Sequence, residues 1–175
     1  LRQDALVTAS ECIIKLEKIA KAYANTVVTV GEISIKPGAS NVIPGHAKFT
    51  VDLRSSENSV RKKVENELQQ ALQEICTNRK AKFITTKTHS AESTKCSNNV
   101  IKQLENAFVK SGYPTYFLPS GAGHDTAAMS DLTETGMIFL RCREGISHNP
   151  AESVELEDIE AGFQIMLKFI ENFKP

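Results

Sequence analysis

Two short stretches of this chain pair glycine with histidine: Ser120-Gly-Ala-Gly-His-Asp125 and Gly145-Ile-Ser-His-Asn-Pro150. An imidazole can ligate a metal or carry a proton near neutral pH, and glycine lets backbone approach a ligand closely. The stretches flank one apolar run, Met137 to Leu140. Loops held by a rigid sheet are where α/β proteins place their chemistry, so His124 and His148 are read as parts of one site. For His148 the alternatives are a structural or exposed loop histidine and a metal ligand, with Glu152 as candidate partner of the imidazole. His124-Asp125 reads either as a helix start, with Asp125 as N-cap and the glycines making the turn, or as a hydrogen-bond donor or proton shuttle at His124 beside close backbone at Gly123.

Ser120 does not extend this to a Ser-His-Asp nucleophile. G-x-S-x-G is absent, and adjacent His and Asp side chains point in different directions. The dinucleotide-binding pattern fails as well, because the third glycine is missing. A third constellation is Asn41 with Arg54, thirteen residues apart across Pro44-Gly45. A guanidinium plus an amide is a forked, donor-rich receptor for a carboxylate or ureide. The plainer reading pairs Arg54 with Asp52 or Glu57 at a strand end. His46 reads as an ordinary strand residue, and His89 gives no signal.

The elements that position these residues follow from periodicity. Apolar residues at helical spacing predict helices over 5–24 (Leu6, Cys12, Leu16, Ile19), 59–77 (Val60, Val64, Leu68, Ile75), 97–111 (Val100, Leu104, Phe108) and 156–173 (Ile159, Phe163, Met166, Ile170). Ser55 or Ser56 caps the second in this reading, and Ser97 or Asn98 the third. A short helix is expected over 125–132. β-branched or alternating runs predict strands at 26–35, within 41–54, and at 80–88, 116–118 and 137–140. The first part gives α-β-β-α-β, an antiparallel sheet with two helices on one face. The second alternates helix and strand, an incomplete α/β segment. The expected class is α+β, with a boundary between residues 1–92 and 93–175.

The bulk properties exclude several classes of function. The 175 residues carry 41% hydrophobic and 24% charged side chains with zero formal net charge. No global field favours nucleic acid or an acidic membrane, and no apolar run is long enough to span a bilayer. The four cysteines are widely spaced, without C-x-x-C, which disfavours a disulfide scaffold or structural zinc and predicts a reducing cytoplasm.

Taken in register, Asn41-Val-Ile-Pro-Gly45, Phe49-Thr-Val-Asp-Leu-Arg54, Ser120-Gly-Ala-Gly-His-Asp125, Met137-Ile-Phe139 and Gly145-Ile-Ser-His-Asn-Pro-Ala-Glu152 resemble the M20-type amidohydrolases of the hydantoinase/carbamoylase group. That group includes allantoate amidohydrolase, N-carbamoyl-L-amino-acid hydrolase and β-alanine synthase. Arg2-Gln-Asp-Ala-Leu6 also resembles the start of the family's small-domain helix.

The resemblance implies a catalytic α/β domain with two divalent metals, zinc or manganese, and an inserted α+β lid that carries a homodimer contact. Residues 1–92 would be the lid and 93–175 the last part of the catalytic domain. His148 would be a metal ligand, His124 and Gly123 would line the reacting carbonyl, and Asn41 and Arg54 would hold the carboxylate of a small ureido substrate. The H-x-D motif and the Glu-Glu pair of the family do not occur in this sequence. The chain therefore reads as a C-terminal fragment, inactive alone and binding no metal tightly. The alternatives are a non-catalytic dimerisation or binding module and a fragment of an M20-type aminoacylase or dipeptidase.

Overall fold

The computed structural model describes residues 3–174. Leu1 and Arg2, where the expected helix-start motif begins, lie outside the described residues. The chain divides into two compact units, Leu1–Ser93 and Thr94–Pro175. No helix among the described residues is long and apolar enough to cross a membrane.

Unit 1 is built on two helices, α1 (Ala5–Lys21) and α2 (Asn58–Asn78). Asp4 caps α1, its carboxylate accepting the Val7 N–H at 3.1 Å, which satisfies one orphan donor of the first turn. Position 57 rather than Ser55 or Ser56 is the N-cap of α2, and Glu57 makes no side-chain cap bond. Cys12 and Leu16 from α1 meet Val64, Leu68, Leu72, Ile75 and Cys76 from α2 in one buried cluster. Leu16 and Val64 are its most enclosed side chains, each burial stabilising by about 1.5–3 kcal/mol.

Where strands were expected over 26–35 and within 41–54, four short ones form: β1 (Thr26–Thr29), β2 (Ile33–Lys36), β3 (His46–Phe49) and β4 (Asp52–Ser55). β1 pairs antiparallel with β4, and β2 with β3. Thr29 faces Asp52 while Ile33 faces Phe49, so residues 30–32 oppose only 50–51. One extra residue on the 30–32 side is a β-bulge, which shifts the ladder register between the two strand pairs. Phe49 and Leu53 still pack on the helical cluster, joined by Val28, whereas Val51 is exposed. Residues 41–45 form a loop rather than the start of a strand. The expected strand at 80–88 has no ladder partner among the described residues. Ala81 and Phe83 pack on the core, but Ile84 is 94% exposed.

Helix α1 runs the length of this ribbon. At its start Ala5 N–H donates to Pro44 O at 3.0 Å, and just beyond its other end Ser56 N–H donates to Asn25 O at 3.3 Å. Seventeen helical residues span about 25 Å at 1.5 Å per residue.

Unit 2 contains α3 (Asn98–Lys110), the short α4 (Asp125–Met129), a 3-10 turn at Arg143–Gly145, and α5 (Leu156–Asn172). Ser97 caps α3, its Oγ accepting from Asn99 N and Val100 N. α3 packs on α5, burying Val100, Leu104, Ala107 and Ile165. The run 136–140 threads past both helices. A Cβ on Gly136 would lie 2.7 Å from Val100 Cγ1 and 3.0 Å from Leu104 Cδ1, both buried side chains, so close approach favours glycine there, whereas one on Gly162 would only push aside the end of the exposed Leu140 side chain.

The expected strands at 116–118 and 137–140 do not form: neither stretch has a ladder partner among the described residues. Met137 and Ile138 are only half-buried, and Phe139 and Leu140 are exposed, so the apolar run is not the buried strand expected. Tyr116, Phe117, Leu118 and the outer face of α5 (Leu156, Phe163, Ile170) are also exposed. A β-prone run becomes a strand only when another backbone takes up its N–H and C=O groups.

Candidate functional site: two histidine loops

Within unit 2, Ser120 folds the first loop back on itself. Its Oγ accepts the Ala122 N–H at 3.1 Å and lies 2.6 Å from His124 Nε2. His124, not Asp125, occupies the N-cap position of α4, with extended backbone and no side-chain cap bond. Asp125 instead sits in the first turn, where its charge complements the helix N-terminus. The His124 ring meets Phe139 edge-on, with centroids 6.5 Å apart and planes at 74°. His124 and Gly123 are both exposed. A Cβ added at Gly123 would meet nothing within 4 Å, so this unit itself does not require glycine there.

The second loop is closed by its own hydrogen bonds. Glu152 N–H donates to Asn149 O at 2.9 Å, and Ala151 N–H donates to Asn149 Oδ1 at 3.0 Å. Arg143 N–H reaches Ser153 O at 2.8 Å beside a bridge between Cys142 and Val154. Glu152 does not engage the imidazole of His148. Its Oε2 accepts the backbone N–H of His148 at 2.8 Å, and its Oε1 lies 3.9 Å from Cys142 Sγ. His148 has φ 57° and is exposed.

These loops do not complete a metal centre. Among the described residues no group of three His, Cys, Asp or Glu side chains is arranged to hold a metal ion, and a dinuclear site needs more donors than one imidazole supplies. The chain on its own therefore does not fit the two metals that the resemblance implies.

In unit 1, Arg54 forks onto Asp52, with Nη2 at 2.6 Å and Nε at 3.1 Å from the carboxylate. The hydrogen bond from Arg54 holds the Asp52 carboxyl below its ordinary value, and Asp52 in turn raises Arg54. Both side chains are about half exposed, so the pair contributes little to stability. It leaves the guanidinium at the surface. Asn41 lies in the loop between β2 and β3, near the end of the ribbon marked by Pro44. Arg54 lies opposite Val27, near the other end. The structure does not bring these two residues together. An open groove of about 580 Å³, lined by Val7, Glu11, Ile14, Glu74 and Arg79 among others, contains none of the site residues read from the sequence.

Two contacts were not legible beforehand: Ser120 with His124, and Glu152 with the His148 backbone. The signal for the first is a hydroxyl four residues before an imidazole across a glycine turn. The second has no clear sequence signal, because a carboxylate bound to backbone leaves no constraint on the partner's residue type.

Comparison with known proteins places this geometry. The sequence pattern of Peptidase family M20/M25/M40 matches residues 9–172. An N-carbamoyl-L-amino-acid amidohydrolase from Pseudomonas sp. (strain NS671) is 37% identical over 172 residues, covering 97% of this chain and 42% of that protein. An allantoate deiminase from Arabidopsis thaliana is 37% identical over 201 residues, covering 98% of this chain and 38% of its own length. A crystal structure of an amidase of the hydantoinase/carbamoylase family from Burkholderia multivorans superposes with a TM-score of 0.92 at 30% identity, over 97% of this chain and 41% of that one. The chain thus spans about two fifths of the curated relatives it matches. It belongs to Peptidase family M20/M25/M40, and the relatives it resembles are amidohydrolases of the hydantoinase/carbamoylase group.

Proposed function

We propose that the whole protein hydrolyses the carbamoyl C–N bond of a small ureido carboxylate, either allantoate or an N-carbamoyl amino acid, releasing ammonia. One observation carries this reading: the family pattern runs through both glycine–histidine loops, and relatives named for these two substrates align over nearly the whole chain. Residues 93–175 then form the last part of the catalytic domain, and 1–92 a lid that also carries the homodimer contact. The site requires two divalent metals, zinc or manganese. His148 is one ligand, and the remaining ligands come from outside this chain.

Each residue has a task suited to its position. His124 and the backbone at Gly123 face the reacting carbonyl, where a fixed donor stabilises the oxygen as charge develops. The Arg54 guanidinium, carried on a strand and exposed, exchanges its Asp52 partner for the substrate carboxylate, which orients the ureido group for attack. Asn41, on the order of 25 Å away along the ribbon, shares that carboxylate only where two copies of the lid meet, one giving Arg54 and the other Asn41.

A second reading, a non-catalytic dimerisation or binding module, is favoured for the isolated chain by its lack of a convergent donor set among the described residues. A zinc- or manganese-supplemented assay for ammonia release from allantoate and N-carbamoyl amino acids separates the two. Turnover by the whole protein and little or none by this chain is expected. Clear turnover by this chain alone overturns the division of the site.

A further inference from the structure

We infer that Ser120 is a positioning residue that fixes the tautomer of His124, donating its hydroxyl proton to Nε2 so that the imidazole proton sits on Nδ1.

The distances around Ser120 favour one direction of the bond. Its oxygen already accepts the Ala122 N–H at 3.1 Å. Its single proton then has two acceptors in reach, His124 Nε2 at 2.6 Å and Ala122 O at 3.5 Å. The second lies beyond ordinary hydrogen-bond length. The first is shorter than the usual 2.7–3.2 Å range of bonds donated by N–H. A hydroxyl oxygen can accept twice, so it is the shortness of the contact that points to the hydroxyl as donor and Nε2 as acceptor.

In a neutral imidazole the hydrogen bond made by one nitrogen determines which one carries the proton. Free imidazole side chains favour the proton on Nε2, so Ser120 reverses the intrinsic preference. Two other contacts hold the arrangement. The Ala122 N–H fixes the position of the Ser120 oxygen, and the Phe139 edge fixes the plane of the ring. In the neutral imidazole, the donor is thereby preset at Nδ1. This role of Ser120 rests on the reading of His124 as the group facing the substrate carbonyl, and it says which atom does the donating.

The tautomer is measurable without turnover. The chain, labelled with ¹⁵N at histidine, is studied by long-range ¹H–¹⁵N correlation about two pH units above the ordinary histidine value, with His124 assigned by its loss in His124→Gln. The expected result is an unprotonated Nε2 and a protonated Nδ1 for His124. Ser120→Ala should lose that signature and return to protonated Nε2, and Ser120→Thr, which keeps the hydroxyl, should restore it. A wild-type spectrum with protonated Nε2, or a Ser120→Ala spectrum that still shows protonated Nδ1, overturns the inference. The wild-type spectrum decides the direction of the bond even if Ser120→Ala fails to fold. Because no substrate is present, a negative result here is distinct from failure of His124 in catalysis, which the ammonia assay reads.

Discussion

Glu152 holds His148 by its backbone: Oε2 accepts the His148 N–H at 2.8 Å while that residue stands at φ 57°. A left-handed backbone on a non-glycine residue costs on the order of 1 kcal/mol or more and persists only where its surroundings enforce it. The carboxylate supplies that enforcement. Glu152→Ala should remove the acceptor and speed hydrogen exchange at the His148 amide, with a loop cost of about 1–2 kcal/mol. Glu152→Gln keeps an acceptor oxygen and should retain most of the protection. Unchanged exchange in Glu152→Ala would show that the remaining bonds of 143–153 suffice.

Burial pushes the Cys12 thiol up from 9.0 to about 12, helped by the neighbouring Cys76. A thiol whose folded value is raised binds its proton more tightly in the folded state. The stability it contributes is complete below about 9 and is lost as pH rises from there toward 12. The slope should approach about 1.4 kcal/mol per pH unit within that window. Urea titrations of the wild type and of Cys12→Val across the window check this. Parallel curves for the two would remove Cys12 as the cause.

At the start of α3, Glu134 takes the Ser97 hydroxyl at 2.7 Å and the Asn99 side-chain amide at 2.9 Å. The Asn99 bond, then that of Ser97, lowers the Glu134 carboxyl below its ordinary value. A depressed carboxylate stabilises above the unfolded value, and that contribution is lost as pH falls through the folded one. Ser97→Ala removes both the cap and one of these bonds. It should cost about 1 kcal/mol at neutral pH and shrink the difference from wild type as the solution is made acid. Thermal midpoints at the two ends of that range are the measurement.

The helices were legible because each carries one apolar stripe: Cys12, Leu16 and Ala20 in α1, and Val64, Leu68 and Leu72 in α2, are buried as their spacing demands. The ribbon was legible in outline only. Val51 continues the apolar alternation of Phe49 and Leu53, and nothing in its residue type announces that the register shifts by one beside it. The runs at 80–88, 116–118 and 137–140 have strand-like composition, but a strand also needs a partner backbone, and that information is not local. The two histidine loops were found because glycine and histidine limit what a position can do. Their internal bonds, from Ser120 and Glu152, use residue types common on any surface and became visible only with the geometry.

The separation of Asn41 from Arg54 makes the last prediction. Ribbon and helix give the same measure: eight residues from His46 to Arg54 at about 3.3 Å each, and the seventeen-residue α1 alongside, both come to roughly 25 Å. One small carboxylate cannot bridge that distance within one copy. If both residues hold it, they come from two copies in a symmetric pair. Homodimers of Asn41→Ala and of Arg54→Ala, made in the whole protein, should then each turn over poorly. Unfolded together and refolded, the two variants form mixed dimers in which one site lacks both residues and the other is intact. Activity should return to roughly a quarter of wild type, as expected for random pairing in a two-fold dimer. If each residue acts in its own copy's site, every site in the mixture lacks one of them and mixing restores nothing.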